Sequence, residues 1–148
     1  MPTHVSVSST GDSHLAGRAR TFLKVRAIGW VSVRHGVDTD AKFVRIARTR
    51  FRYSAVEYYE AVTGADPKNR PANLQHLIES GGNGDLEVAG VAYVNARHGI
   101  DADVGMSRIG LAILAQAAMN YGHEALTGTS VDPKKRPVDP YLQLGNGI

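Results

Sequence analysis

A short run of histidine, glycine and aspartate occurs twice in the sequence. Residues 34–40 read Arg-His-Gly-Val-Asp-Thr-Asp, residues 97–103 read Arg-His-Gly-Ile-Asp-Ala-Asp, and five of the seven positions are identical. Imidazole and carboxylate groups suit a divalent metal, and a paired His and Asp can transfer a proton. One interpretation is a pseudo-symmetric metal or acid–base site, such as a small metal-dependent hydrolase or lyase would use. Its members would be His35, Asp38, Asp40, His98, Asp101 and Asp103.

The same run has a purely structural interpretation. Gly36 and Gly99 would each take a left-handed backbone after a helix, and the Val or Ile that follows would pack back on the last turn. The next Asp would cap the following helix, and the Arg and His are favourable cations near a helix C-terminus. We therefore favour a tight corner between two helices. The sequence contains no nucleophile elbow or phosphate-binding glycine loop, so we expect a non-enzymatic protein without a cofactor.

A second candidate site is a run of basic residues on one predicted helix. Between Ala41 and Val56 there is no acidic residue, and tyrosines follow closely. Such a helix face suits the backbone of a nucleic acid, an acidic protein surface or plain solvent. We expect its cations to be exposed, because burying them without carboxylates would be very costly. The basic residues are Lys42, Arg45, Arg48 and Arg52, with Arg50 near the edge of the face.

The elements that must position these residues are also repeated. Residues 60–64, Glu-Ala-Val-Thr-Gly, return as Glu-Ala-Leu-Thr-Gly at 124–128, and residues 66–71, Asp-Pro-Lys-Asn-Arg-Pro, return as Asp-Pro-Lys-Lys-Arg-Pro at 132–137. Together with the histidine run, these matches occur in the same order and predict a tandem duplication of a unit of roughly 60 residues. Two units are too few for a solenoid, so we expect one pseudo-symmetric domain.

The second long segment of each unit has the apolar spacing of a helix. It runs from about Thr39 to Val62 in the first unit and from about Ala102 to Leu126 in the second. Gly64 and Gly128 follow directly and are expected to end these helices. The predicted core face of the first helix consists of Phe43, Ala47, Phe51, Ala55, Tyr58 and Val62.

The first segment of each unit, Thr21 to His35 and Leu86 to His98, fits a helix or a strand by periodicity, and its length favours a helix. We also predict a short linking helix from Asn73 to Ser80. The expected fold is all-α, a duplicated helical hairpin that forms a four- to five-helix bundle with extended arms. The expected division is a polar N-terminal arm (1–14), helical repeat unit 1 (15–80), helical repeat unit 2 (81–128) and an extended C-terminal arm (129–148).

Composition restricts the class of protein. The chain has 148 residues, 43% of them hydrophobic, which is enough for one domain with its own core. It contains no Cys, which excludes disulfides and thiolate metal ligands and fits a reducing compartment. We expect no membrane span and no signal peptide, because long apolar runs are lacking and residues 1–14 are polar. The expected location is the cytoplasm or a virion.

Charge differs between the two halves of the chain. Residues 1–72 hold 12 Lys and Arg against 6 Asp and Glu, whereas residues 73–148 hold 5 against 8. The basic half suits nucleic acid or the acidic half of a neighbouring copy. At the positions of Arg48 and Arg52 the second unit has Leu111 and Ala115, so residues 111–119 are expected to be buried, partly against another subunit.

These observations predict a homo-oligomeric assembly or interaction protein, for example a phage virion component whose polar arms are held by neighbouring subunits. A regulatory DNA- or RNA-binding protein and the small metal-dependent hydrolase or lyase remain the alternatives.

Overall fold

The computed structural model describes residues 2–37, 41–80, 84–99, 104–130, 132 and 134, and this part of the chain contains helices and no strand. The predicted all-α fold is confirmed, and both first segments are helical. The α-helices are α1 (Pro2–Ser32), α2 (Ala41–Thr63), α3 (Leu74–Ser80), α4 (Gly84–Val94) and α5 (Val104–Thr127). A π-helical turn follows α1 at Val33–Val37 and α4 at Asn95–Gly99, and a 3-10 turn follows α2 at Pro67–Asn69.

The four longer helices contact one another in a closed order. Helix α1 packs on α2, α2 on α5, α5 on α4, and α4 on α1, while the short α3 contacts α2 and α5. Only a few residues connect α1 to α2 and α4 to α5, so each of these pairs forms a helical hairpin. The core therefore lies between hairpin 1 (α1 and α2) and hairpin 2 (α4 and α5).

Core positions recur at a spacing of 63 residues. Leu23 and Leu86 are both fully buried, as are Phe51 and Leu114. Because the helical period fixes which side each residue faces, equal spacing in both hairpins turns the same side of each helix inward. The buried pairs are Leu23 with Leu86, Ala27 with Gly90, Trp30 with Tyr93, Val31 with Val94, Phe51 with Leu114, Ala55 with Ala118, and Tyr58 with Tyr121.

Helices α2 and α5 end in the same way. Gly64 and Gly128 have φ angles of 78° and 76°, a left-handed backbone that glycine adopts without a steric penalty. Their amides donate to the carbonyl oxygens of Glu60 and Glu124, each at 2.8 Å. The helix ends predicted at these glycines are confirmed.

The repeated Asp-Pro-Lys run forms a turn after α2 and another after α5. The Asp66 Oδ1 atom accepts a hydrogen bond from the Lys68 amide at 2.9 Å, and Asp132 accepts one from the Lys134 amide at the same distance. A short carboxylate side chain that binds the backbone two residues onward stabilises this turn locally.

The loop after α2 is tied back to its own helix by an ion pair. Arg70 donates from Nε and from a terminal guanidinium nitrogen to the two carboxylate oxygens of Glu60, at 2.7 and 2.6 Å. Glu60 is 5% exposed, and its hydrogen bonds raise the pKa of Arg70. This two-pronged contact fixes the direction of the chain between α2 and α3.

The predicted extended N-terminal arm is wrong, because α1 begins at Pro2. Proline suits the first position of a helix, where its missing amide hydrogen is not needed. Once the packed part of α1 has formed, each further residue extends it by one hydrogen bond without a new nucleation cost. The predicted C-terminal arm lies largely outside the described residues.

The predicted left-handed backbone at Gly36 is also wrong. Gly36 lies inside the π-helical turn, and among the described residues a positive φ occurs at Gly64 and Gly128. A π-helical turn closes the last hydrogen bonds of the helix over a wider ring, and this helical backbone continues through Gly36 without a left-handed residue.

The predicted core face of α2 is correct in its C-terminal part and wrong at its start. Phe51, Ala55 and Tyr58 are fully buried, whereas Phe43 is 64% exposed. Phe43 lies in the first turn of α2, before the length of helix that the core covers.

A close approach between the two hairpins at Gly122 gives a testable prediction. A Cβ atom at Gly122 of α5 would overlap the Tyr59 side chain and lie 3.2 Å from the Ala55 carbonyl oxygen of α2. Gly122→Ala should lower the free energy of unfolding by about 1–3 kcal/mol, because the hairpins must move apart. Gly29→Ala, at an exposed helical position with open space, should raise it by up to about 1 kcal/mol through helix propensity. Chemical denaturation measures both, and equal effects would contradict the close approach.

Candidate functional site

The predicted basic face of α2 divides into an outer and an inner part. Lys42, Arg45 and Arg50 are exposed, Arg48 is half-buried, and Arg52 is 6% exposed. The prediction that all these cations are exposed is therefore wrong for Arg52.

Arg52 is buried because it has polar partners on two other helices. One terminal nitrogen of its guanidinium donates to the Ile78 carbonyl oxygen of α3 at 2.7 Å. The other donates to Glu87 Oε1 of α4 at 2.6 Å. A buried cation is tolerated when a carboxylate and further hydrogen bonds compensate its lost hydration. Arg52 thus joins α2, α3 and α4 and is not available to an external partner.

Glu87 also attracts the neighbouring arginine. The Arg48 Nε atom lies 3.5 Å from Glu87 Oε1, an ion pair without hydrogen-bond geometry, and the Arg48 side chain is 41% exposed. At this exposure the pair contributes little to stability. Glu87, a single carboxylate on α4, therefore pairs with both Arg48 and Arg52.

The same carboxylate lies near a buried tyrosine. Tyr121 of α5 is 3% exposed. Burial raises the pKa of Tyr121 to about 12, with Arg52 acting in the opposite direction and Glu87 adding to the rise. The phenol is held in its neutral form because burial removes the hydration that would stabilise a phenolate, and the charge of Glu87 adds to this effect.

A further group of cations lies where α1 meets the turn after α4. Burial lowers the pKa of Lys24, and the charges of Arg97 and Arg20 lower it further. Arg97 also donates to the Tyr93 hydroxyl at 3.1 Å. Positive charge thus extends over α1 and the turn after α4 and is not confined to α2.

The repeated histidine run is only partly described. His35 and His98 are exposed and lie in the two π-helical turns. Asp38, Asp40, Asp101 and Asp103 lie outside the described residues. Within the described part of the chain, no group of three histidine or acidic side chains is placed to hold a metal ion. The metal or acid–base site stays a prediction.

Exposed apolar side chains form a pattern that the sequence analysis missed. Ten large apolar residues are exposed among the described residues, and six of them form three pairs spaced by 63 residues. The pairs are Val25 (57%) with Val88 (69%), Phe43 (64%) with Met106 (47%), and Ile46 (38%) with Ile109 (37%). Each hairpin therefore leaves the same positions uncovered on its outer side. The 63-residue spacing of the repeats, combined with the side of each helix that faces the core, was the signal that could have revealed these exposed positions.

We call these surfaces the hairpin-1 face (Val25, Phe43 and Ile46) and the hairpin-2 face (Val88, Met106 and Ile109). On the hairpin-2 side a groove of about 480 Å³ runs between α4 and α5. Its lining consists of Asp85, Val88, Ala89, Ala92, Ile109, Ala112, Ile113, Gln116, Ala117 and Asn120.

The predicted burial of residues 111–119 holds for the inner side of α5. Leu111, Leu114 and Met119 are buried, but Ile113 is 52% exposed and lines the groove. The expected contribution of another subunit to this burial stays a prediction.

No family model, no curated protein and no solved structure matches this chain. None of the helices in the described part of the chain has the length and apolar character needed to cross a membrane.

The Arg52–Glu87 contact predicts an unequal response to the loss of two carboxylates. Glu87→Gln should lower the free energy of unfolding by about 2–3 kcal/mol, because it leaves a buried guanidinium without its counter-charge. Glu79→Gln changes an exposed carboxylate on α3 and should cost no more than about 0.5 kcal/mol. Urea denaturation gives the free energy of unfolding of both variants. Similar decreases would show that the Arg52–Glu87 contact stabilises the fold no more than an exposed carboxylate does.

The raised pKa of Tyr121 predicts alkaline sensitivity. In the unfolded chain the phenol ionises near pH 10, whereas in the folded protein it stays neutral until about pH 12. Its contribution to stability is complete below pH 10 and is lost as the pH rises through the folded value. Tyr121→Phe should flatten the fall in unfolding free energy between pH 10 and pH 12. An unchanged pH profile would mean that Tyr121 is not the group responsible.

Proposed function

We propose that this protein is a non-enzymatic assembly protein that associates with further copies of itself. The observation that carries the proposal is the pair of outer faces, in which the same three positions are apolar and exposed on both hairpins. Scattered exposed apolar residues are normal on a protein surface, but their recurrence at one spacing is not explained by the core.

Contact with a protein partner is energetically more favourable for these apolar side chains than exposure to solvent. Burial of apolar surface stabilises by roughly 25 cal/mol per Å² removed from water. Val88, Ile109 and Ile113 border one groove, so a single partner surface covers all of them at once. A second copy supplies an apolar surface of its own, the hairpin-1 face.

A duplicated helical hairpin is part of the proposal. The similar motifs in the same order, the paired core positions and the two equal helix ends support it. Duplication gives a chain two related outer surfaces, which is what an assembly of many copies uses. A phage virion component is one such assembly, and this assignment stays a prediction.

The exposed part of the basic face, Lys42, Arg45 and Arg50, is assigned to the acidic half of a neighbouring copy. Arg48 lies at its edge, and Arg52 is used inside the molecule. Nucleic acid is the competing partner for this face, since both partners offer negative charge.

The proposal is tested by the solution mass of three proteins, with and without duplex DNA. The wild type should associate as its concentration rises. Ile113→Arg places a cation in the groove and should weaken association by at least about tenfold without unfolding the protein. Leu77→Arg alters an exposed leucine of α3 that does not line the groove and should associate like the wild type.

A monomeric wild type at every concentration would contradict self-assembly. Association that requires DNA and weakens steeply with salt would instead identify the protein as a nucleic-acid-binding protein.

A further inference from the structure

We propose that residues 135–148 dock on α5 of their own chain as α3 and the loop before it dock on α2, held by an ion pair between Arg136 and Glu124. This inference rests on the proposed duplication of the hairpin and does not depend on self-assembly. Residues 135–148 lie outside the described part of the chain, and their counterparts in hairpin 1 show what such a segment can do.

The segment repeats the sequence that contains α3. After the two Asp-Pro-Lys turns, both units continue with Arg-Pro, at 70–71 and 136–137, and both reach Gly-Asn-Gly, at 82–84 and 145–147. Between these matches lie ten residues in the first unit (72–81) and seven in the second (138–144). The second segment is therefore shorter by about one helical turn, which leaves room for a shorter counterpart of α3.

The second segment also keeps the residues that start a helix. In hairpin 1, Asn73 directly precedes α3, and its carbonyl oxygen accepts a hydrogen bond from the Leu77 amide at 3.0 Å. At the matched positions the second segment has Asp139 and then Pro140. Aspartate is a preferred N-cap residue, and proline is favoured at the first position of a helix.

The buried side of α3 has apolar counterparts in the second segment. Leu74 and Ile78 are the buried residues of α3, which packs on α2 and α5. The second segment carries Tyr141, Leu142 and Leu144 in the corresponding stretch. Exchange of the two hairpins interchanges α2 and α5, so the equivalent surface is again formed by these two helices. Burial of apolar side chains on this surface favours docking.

An arginine fixes the position of the loop before α3. Arg70 donates two hydrogen bonds to the Glu60 carboxylate, and Glu60 lies four residues before the glycine that ends α2. Glu124 lies four residues before the glycine that ends α5, and it is half-buried. Arg136 has the same place after its Asp-Pro-Lys turn as Arg70 has after the first. A guanidinium there suits the Glu124 carboxylate in the same two-pronged geometry.

The second unit has two more residues before its turn. One residue separates the helix-ending glycine from the turn in the first unit, and residues 129–131 do so in the second. Part of this added length folds back on the end of α5, because the Thr129 amide donates to the Thr127 hydroxyl at 3.2 Å. The Asp-Pro-Lys turn then forms with the same hydrogen bond as in the first unit.

Hydrogen exchange of the full chain, read by mass spectrometry, tests the docking with a matched pair of variants. Arg136→Gln removes the proposed ion pair, and Lys135→Gln removes the same charge from the adjacent residue, whose counterpart Asn69 carries none. In the wild type, peptides covering residues 140–147 should exchange at least about tenfold more slowly than an unstructured peptide of the same sequence. Arg136→Gln and Glu124→Gln should each remove most of this protection, and Lys135→Gln should retain it.

Peptides from α4 that stay protected show that the core of each variant is folded. If Glu124→Gln unfolds the core, the comparison of Arg136→Gln with Lys135→Gln decides. Wild-type exchange at the unstructured rate would overturn the docking, and equal protection in these two variants would overturn the ion pair. Protection that appears only as protein concentration rises would overturn docking within one chain in favour of exchange between copies. The solution mass of the same samples tests self-assembly separately, so either proposal can fail alone.

Discussion

The packing of hairpin 1 against hairpin 2 is the constraint on which the other features of this protein depend. Residues 63 positions apart are buried together in the core, and α2 approaches α5 so closely that Gly122 has no room for a side chain. Because each helix has only one side to place in the core, the opposite side of each hairpin must face outward. The paired apolar residues lie on these outward sides, where the core does not account for their apolar character.

The buried Arg52–Glu87 contact determines how much of the basic face can meet a partner. The guanidinium of Arg52 is held at 2.6 Å from Glu87 and at 2.7 Å from the end of α3, and Arg48 lies beside the same carboxylate. Two of the five cations that give α2 its basic character, Arg48 and Arg52, therefore lie beside a carboxylate of the same fold. Lys42, Arg45 and Arg50 are exposed, next to the exposed apolar side chains of the same helix. A mixed surface of this kind suits a protein partner with its own apolar groove.

Local features were predictable from the sequence because short-range chemistry determines them. Gly64 and Gly128 end their helices as expected, since a helix end depends on residues within a few positions. The burial of Arg52 was not predictable in this way, because its carboxylate lies 35 residues further along the chain. The exposure of Phe43 and Ile113 was missed for a related reason. Periodicity identifies apolar positions, but only the packed hairpins show which of them the core covers. The duplication and the role of the outer faces in assembly stay predictions.

The central claim is that the two outer faces make this protein assemble, and the solution mass of the unmodified chain tests it most directly. The mass should rise with concentration above the 15.9 kDa of one chain. A mass of 15.9 kDa at every concentration would contradict the account.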